Sequence, residues 1–326
     1  MAQRIIGIDI GSDNLKLAVC VGGVVKKAAV ARFPEDLIME GKVTSVPALV
    51  EFLKSTMKSN HIAPGPCAMV IPSQMVISHR FTTPPVSDSE LRMNLPFEFK
   101  DFVGKDEDDY LFDYSITNAT EHELSVYACA VRKSLMDEYF TTFKKAGLTL
   151  KIATPVEMAW LNLIQRNPNL PEKLCIVDIG HSSTRVSIFA NGNFVMGKNI
   201  DKGGALIDET IVSTHNMDRY EARARKETNT DNILAESVCQ ESYQDLTVEI
   251  MKVLNFYAYS DTEEGGALKH LYYCGGSSRI APLMATMFKG TEIEQYHISQ
   301  LLNMGDVDAD MALQCALAAG AANQTA

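Results

Sequence analysis

The chain has 326 residues, of which 46% are hydrophobic and 22% charged, so it is long enough for two packed domains and too apolar to be disordered. Thirty basic and 41 acidic residues give a formal net charge of −11, which argues against a protein that binds the nucleic-acid backbone. Seven cysteines without C-x-x-C spacing predict reduced thiols in a cytoplasmic protein. No apolar run approaches the length of a transmembrane helix, so we expect membrane contact only through a partner.

Alternation of apolar residues predicts the same order of elements in each half of the chain. The first half consists of strands Ile5–Ile10, Leu15–Val21 and Val24–Phe33, the helix Pro47–Lys58 and the strand Cys67–Ile71. The second half consists of strands Leu174–Ile179, Thr184–Ala190 and Phe194–Ile200, helices Ala205–His215 and Tyr243–Tyr259, and the strand Leu271–Cys274. Two such units predict a duplicated α/β fold with a cleft between the copies.

Two segments interrupt this symmetry. The longer segment, residues 78–152, predicts a small α/β subdomain that begins with a capping box at Ser87–Glu90. Its strands are Tyr110–Thr117 and Leu124–Val131, and its second helix is Ser134–Ala146. We expect domain I at residues 1–77, 153–172 and 308–326, the inserted subdomain at 78–152, and domain II at 173–307, including a smaller insert near 216–240.

A sequence repeat connects the two halves. Asp9-Ile10-Gly11 returns as Asp178-Ile179-Gly180, at an offset of 178 − 9 = 169 residues. Glycine lets a turn approach a ligand closely, and the N–H groups of such a turn form a nest that binds anions. An aspartate beside phosphates implies an intervening Mg²⁺ held largely through water, so Asp9 and Asp178 are the candidate metal residues. The alternative is a tight turn that was duplicated without any ligand.

The two turns supply the candidate phosphate-binding residues. They are Gly11, Ser12, Asp13, Asn14 and Lys16 in the first copy, and Gly180, His181, Ser182, Ser183 and Thr184 in the second. A third element, Leu271–Ile280, is a strand followed by two glycines and a helix start, where a flat ring could lie against the backbone. A plain turn with Ser277 as helix cap is the alternative for this element.

The three stretches resemble the two phosphate motifs and the adenosine motif of the superfamily that contains actin, sugar kinases and heat-shock chaperones. The resemblance implies an α/β, actin-like ATPase (ribonuclease H-like) fold of two duplicated domains that bind ATP and Mg²⁺. It implies an adenosine side formed by Lys226, Gly275, Gly276, Ser277 and Arg279, with Gly203 and Gly204 elsewhere in the cleft. The Ala-rich segment Asp310–Ala322 resembles the last connecting helix, where small residues permit close crossing.

Within that superfamily the sequence resembles the PilM family of type IV pilus assembly along nearly the whole chain. The matching stretches are Ile6–Ser12 with Leu15 and Lys16, Pro84–Tyr114, Ala146–Leu148, Gly203–Ile207 and Leu254–Tyr257. The resemblance implies an inserted subdomain of the FtsA/PilM type (1C-like). It implies a cytoplasmic scaffold of a pilus, secretion or competence system at the inner face of the membrane, which binds the N-terminal tail of a PilN-like membrane protein. Self-association stays open.

The insert offers a candidate surface for such a tail. Phe97, Phe99 and Phe102 lie near an acidic loop at Asp106–Asp109 and could accept apolar side chains and a basic residue. The alternative is that these phenylalanines form the core of the insert, which we favour for Phe99 and Phe102. We expect the tail between domain I and the insert.

Two departures from the family pattern bear on chemistry. His181 occupies a turn position usually held by a small residue, and the simple interpretation is that it points to solvent. Val156 falls where many relatives carry an acidic residue, and Glu157 follows it. We therefore expect slow or absent hydrolysis, with Glu157 as the weak candidate for a water-activating base.

Other functions on the same fold remain as alternatives. An FtsA-like cell-division filament would need an amphipathic C-terminal helix with basic and bulky apolar faces, which Ala319–Ala326 lacks. A small-molecule kinase would need a carboxylate placed as base for a hydroxyl, and none beyond the two repeated aspartates qualifies. An actin-fold metabolic chaperone is the third alternative.

Overall fold

A computed structural model of the chain describes residues 3–39, 41–260, 267–287 and 289–323. Domain I contains a five-stranded sheet. Its strands are β1 (Arg4–Ile10), β2 (Asn14–Val21), β3 (Val24–Arg32), β6 (Pro66–Val70) and β10 (Thr149–Thr154), and a small hairpin, β4 (Ile38–Met39) with β5 (Lys42–Val43), lies apart from it. The order is β10-β6-β1-β2-β3, with β1 and β2 antiparallel and β1 and β6 parallel.

Domain II repeats this sheet. Its strands are β11 (Lys173–Ile179), β12 (Thr184–Ala190), β13 (Asn193–Ile200), β14 (His270–Cys274) and β15 (Glu294–His297). The order β15-β14-β11-β12-β13 matches the first sheet strand for strand. The registers also match, because Asp9 lies opposite Lys16 and Asp178 lies opposite Arg185. The predicted duplicated α/β fold is confirmed.

Helices pack on both sides of the sheets. The helices of domain I and the insert are α1 (Val46–Ser59), α2 (Asp88–Glu98), α3 (Lys100–Val103), α4 (Lys133–Lys145) and α5 (Val156–Ile164). Those of domain II and the C-terminal segment are α6 (Gly204–His215), α7 (Arg219–Thr228), α8 (Ser237–Ala258), α9 (Ala281–Thr286) and α10 (Ala309–Ala322). Among the described residues, no helix is long and apolar enough to cross a lipid bilayer.

α5 and α10 join the two domains. Their buried residues share one core cluster with residues of both sheets, such as Ile5 and Leu174. The two helices cross closely, since a Cβ on Gly320 would lie 2.3 Å from the carbonyl oxygen of Ala159. The small residues predicted for this helix therefore bring α10 against α5. Residues 324–326, which were expected to end domain I, lie outside the described residues.

The inserted subdomain is smaller than the sequence predicted. Strands β7 (Ile77–Thr83), β8 (Tyr110–Ala119) and β9 (Leu124–Arg132) form a separate sheet in the order β7-β9-β8. In contrast, β10 is an edge strand of the domain I sheet, and α4 buries its apolar face in the domain I core. The expected limits of 78–152 are therefore too wide, and the insert ends near Arg132.

The two faces of the insert sheet have different surroundings. α2 and α3 cover the face that carries Val126 and Ala128, with Phe99 buried beneath them. Side chains alternate along a strand, so Tyr127 lies on the opposite face, which is turned toward the rest of the molecule. Phe97 and Phe102 are 72% and 51% exposed on the covering helices. The expectation that Phe102 is a core residue is therefore wrong, whereas Phe99 is part of the core.

Candidate functional site

The two repeated turns, which begin at Gly11 and Gly180 of the Asp-x-Gly motifs, face each other across the cleft between the domains. The N–H of Gly11 donates to the carbonyl of Asn14 at 3.0 Å, and the N–H of Gly180 donates to the carbonyl of Ser183 at 2.9 Å. The tips of the turns touch, because Ser182 Oγ donates to Ser12 Oγ at 2.9 Å. The repeat therefore brings two glycine turns to one place, as a polyphosphate site requires.

A buried ammonium lies between the paired aspartates. Lys16 Nζ lies 2.8 Å from Asp9 Oδ2 and also interacts electrostatically with Asp178. Burial lowers the pKa of Lys16, but the two carboxylates outweigh burial and raise it above its ordinary value. Burial raises the pKa of Asp178 to about 6, and Lys16 opposes this shift. Two carboxylates thus share one ammonium, an arrangement that favours an added cation when both are ionised.

A cleft of about 1670 Å³ extends from these turns. Most of the expected site residues line it: Asp9, Gly11, Ser12, Asp13, Asn14, Lys16, Asp178, Gly180, His181, Ser182, Ser183, Lys226, Gly276, Ser277 and Arg279. Beyond the turns, one wall carries apolar side chains, which suit a flat base. These side chains are Leu234, Ile280, Pro282 and Met284.

Four expected site residues support the turns instead of lining the cleft. A Cβ on Gly275 would lie 2.3 Å from the carbonyl oxygen of Ile179, and its φ is +92°. A Cβ on Gly203 would lie 2.6 Å from the carbonyl oxygen of Gly180, to which the N–H of Gly204 donates at 3.0 Å. Thr184 is fully buried. The missing side chains at the three glycines let neighbouring residues pack directly against the second turn.

Lys226 and His181 meet at the buried carboxylate of Asp208. Lys226 Nζ lies 2.6 Å from Asp208 Oδ1 and donates to the carbonyl of Gly204 at 3.0 Å. His181 Nδ1 lies 3.9 Å from Asp208 Oδ2, and its side chain is 20% exposed. The expectation that His181 points to solvent is therefore wrong. Burial lowers the pKa of His181 and so disfavours its charged form, whereas the nearby Asp13 carboxylate opposes this shift.

Glu157 points away from the reaction space expected for a base. Its side chain pairs with the Arg185 guanidinium and accepts a hydrogen bond from Tyr127 Oη at 3.1 Å. Val156, the preceding residue, is the one that lines the cleft. A carboxylate held by two donors in a buried position is poorly placed to accept a proton from water.

Sequence reasoning missed an ionic network at the mouth of the cleft. Arg223 on α7 pairs with Asp13 in the first turn, and Arg32 on β3 pairs with Glu227 on α7. Arg223 Nε also lies 3.4 Å from Glu227 Oε1. Burial raises the pKa of Asp13, but Arg223, together with His181 and Arg32, lowers it overall. The spacing i, i+3, i+4 of Arg223, Lys226 and Glu227 places all three on one helical face and could have indicated this role.

Arg223→Ala should weaken Mg-ATP binding by about fivefold, since Arg223 anchors the first turn from the opposite domain through a half-buried ion pair. Titration of the purified variant with Mg-ATP measures the effect. Arg225→Ala is the matched control, because Arg225 lies on the same helix but pairs with Glu221 outside the cleft. Equal affinities in the two variants would contradict an anchoring role for Arg223.

The fold and the cleft place the chain in the actin-like ATPase fold class. The ethanolamine utilization protein EutJ from Carboxydothermus hydrogenoformans superposes with a TM-score of 0.62 at 13% identity, over 99% of this chain and 90% of that chain. MreB 5 of Spiroplasma citri bound to AMPPNP superposes with a TM-score of 0.54 at 13% identity, over 98% and 95%. At such identities the likeness shows the fold alone.

A narrower assignment comes from the sequence profile of the type IV pilus assembly protein PilM family, which matches residues 7–313. The chain belongs to this family. A solved structure of a PilM-PilN type IV pilus biogenesis complex superposes with a TM-score of 0.82 at 20% identity, over 99% of this chain and 98% of that chain. No curated protein matches the sequence.

Proposed function

We propose that the chain is an ATP-binding scaffold of a type IV pilus, or of a related secretion or competence system. The observation that carries the nucleotide part is the contact between the two Asp-Gly turns at Ser12 and Ser182. The turn N–H groups would bind the phosphates, and the apolar wall near Met284 would hold the adenine. Membership of the PilM family supports the assembly role.

The residues present fit a magnesium ion held mainly through water. Asp9 and Asp178 share a single ammonium, so one carboxylate charge is left for a cation. Among the described residues, no three His, Cys, Asp or Glu side chains form a metal cluster. Mg²⁺ retains several waters and is usually bound through one or two carboxylates together with substrate phosphates, which matches this pair.

We propose slow or absent turnover. The carboxylate nearest the expected base position, Glu157, is paired with Arg185 and Tyr127, and Val156 faces the cleft in its place. Without a positioned base, the turns and the magnesium ion would bind ATP and polarise its phosphates, yet would not activate a water molecule. The bound nucleotide then serves to hold the two domains together.

We propose that the partner is the N-terminal tail of a PilN-like membrane protein, which would bring the chain to the inner face of the membrane. The similar solved structure is that of a PilM–PilN complex, which supports a partner of this kind. On the face of the insert sheet that carries Tyr127, the part next to the edge strand β8 remains accessible, where Ser115 and Ser125 are partly exposed. β8 is an edge strand, so an extended tail can add main-chain hydrogen bonds to it.

Titration of the protein with a synthetic N-terminal tail of a PilN-like membrane protein tests this proposal. Ser115→Arg should weaken tail binding by about tenfold by obstructing the accessible part of this face next to β8, whereas Phe97→Asp, on the outer surface of the helices over the opposite face, should leave it unchanged. Mg-ATP should tighten binding if it closes the cleft. If Phe97→Asp weakens binding and Ser115→Arg does not, the tail binds at the exposed phenylalanines instead. If the wild type does not bind the tail at all, the partner assignment is wrong.

A further inference from the structure

The second copy of the repeat differs from the first at its basic residue. Lys16 and Arg185 occupy equivalent positions, each opposite an aspartate of the preceding strand. Lys16 pairs with its cross-strand aspartate, Asp9. Arg185 instead extends out of domain II and pairs with Glu157, at the start of α5. The duplicated position has therefore become a link between the domains.

This link is buried and lies next to the cleft. Arg185 lines the cleft, its side chain is 17% exposed, and that of Glu157 is 6% exposed. Arg185 Nε has no hydrogen-bond partner and is buried. A charged pair in such a place is lost only at high cost, because separation leaves an uncompensated buried charge. When the domains move relative to each other, the pair is therefore expected to remain intact.

The same carboxylate reaches the inserted subdomain. Glu157 Oε2 accepts a hydrogen bond from Tyr127 on β9 at 3.1 Å, and Tyr127 Oη lies 2.9 Å from Ser78 Oγ on β7. The Tyr127 ring also packs edge-on against Phe194 on β13, with centroids 5.6 Å apart. One polar chain thus runs from the cleft through α5 to the sheet of the insert.

A second contact ties the insert to domain II directly. Arg80 on β7 donates to the carbonyl of Val195 on β13. Arg80 lies opposite Tyr127 in the β7–β9 register, so both contacts come from adjacent positions on the same sheet face. The insert therefore rests on domain I through Glu157 and on domain II through β13. A change in the angle between the domains must change at least one of these contacts.

We infer that Glu157 is a positioning residue that joins the nucleotide cleft to the inserted subdomain, so that occupation of the cleft alters the stability of the insert sheet. This inference rests on the proposed nucleotide binding. By reciprocity, any partner that orders the insert also changes nucleotide affinity. The buried carboxylate of Glu157 would thus transmit changes between the nucleotide cleft and the inserted subdomain.

Hydrogen exchange of the full chain with and without Mg-ATP tests the inference. In the wild type, Mg-ATP should slow exchange at both turns and, by about tenfold, in β7 and β9. Tyr127→Phe keeps the ring but removes the hydroxyl, so it should retain protection of the turns and lose protection of the insert. Tyr139→Phe, which removes a buried hydroxyl in the domain I core, should behave as the wild type.

Three outcomes of the hydrogen-exchange experiment would overturn the coupling, and they differ in what they say about nucleotide binding. Protected turns with an unchanged insert in the wild type would overturn the coupling while leaving nucleotide binding intact. Protection of the insert that survives in Tyr127→Phe and in Glu157→Gln would also overturn it. Unprotected turns, together with no measurable binding of Mg-ATP, would overturn the proposed nucleotide function itself, and the coupling with it.

Discussion

Asp178→Asn should weaken the binding of Mg-ATP by about 10- to 100-fold, because outer-shell carboxylates of metal sites contribute on that scale. Asp178 is one of two carboxylates that share the Lys16 ammonium. The asparagine leaves one carboxylate for one ammonium and removes the charge that attracts magnesium. Asp9→Asn should act in the same direction. Calorimetric titration with ATP, in the presence and absence of Mg²⁺, measures the difference.

The fold should survive this change. Burial already raises the pKa of Asp178 to about 6, so the charged form is disfavoured in the absence of a cation. Thermal unfolding without ligand should therefore occur at the wild-type temperature or slightly above it. Asp245→Asn is the matched control, since it removes one carboxylate from a surface pair with Lys202. Magnesium-dependent binding that is unchanged in both aspartate variants would refute the metal assignment.

The repeated turns could be predicted from sequence because their information is local. Asp-x-Gly at a fixed offset specifies a strand end, a tight turn and the register of the next strand within a few residues. Most element boundaries followed from periodicity to within one or two residues, as in Thr184–Ala190, which the structure reproduces. The contact between Ser12 and Ser182 forms because the two domains place their equivalent turns on opposite sides of the same cleft.

The limits of the insert were predicted less well because an amphipathic pattern shows that a helix face is buried but not which domain it packs against. The helix beginning near Ser134 has one apolar face, which predicts that the face is buried but not which core receives it. In the structure Phe143 and Tyr139 pack into domain I. Similarly, Phe99 and Phe102 lie at helical spacing, although Phe99 is buried and Phe102 is exposed.

The ionic network escaped prediction because its partners are far apart in the chain. Arg223 and Asp13 are separated by 210 residues and meet only because α7 lies over the cleft. Glu157 and Arg185 are closer in sequence, yet their pairing depends on how domain II packs on α5. The pattern of a single sequence predicts helix faces and turns. These ion pairs form only when the two domains pack against each other, so the pattern does not predict them.

Gly320→Ala should lower the free energy of unfolding by about 3 kcal/mol or more, at the upper end of the cost of overpacking a core. The added Cβ would lie 2.3 Å from the carbonyl oxygen of Ala159 and 2.9 Å from its carbonyl carbon. Both are backbone atoms, so a rotamer change cannot relieve the clash and α10 must move away from α5. Asn162 Nδ2, which donates to the Gly320 carbonyl at 3.0 Å, would be strained by the same movement.

Chemical denaturation of the variant measures this loss, and Gly65→Ala is its control. A Cβ on Gly65 would meet only the flexible end of Arg4, at 3.1 Å, so stability should change by less than about 1 kcal/mol. Separation of α5 from α10 would also displace Val156 and Leu317, which line the cleft, and should weaken Mg-ATP binding. If Gly320→Ala unfolds at the wild-type denaturant concentration, the close crossing does not hold the two domains together. If it unfolds earlier and binds nucleotide less tightly, packing between the two connecting helices sets the shape of the cleft.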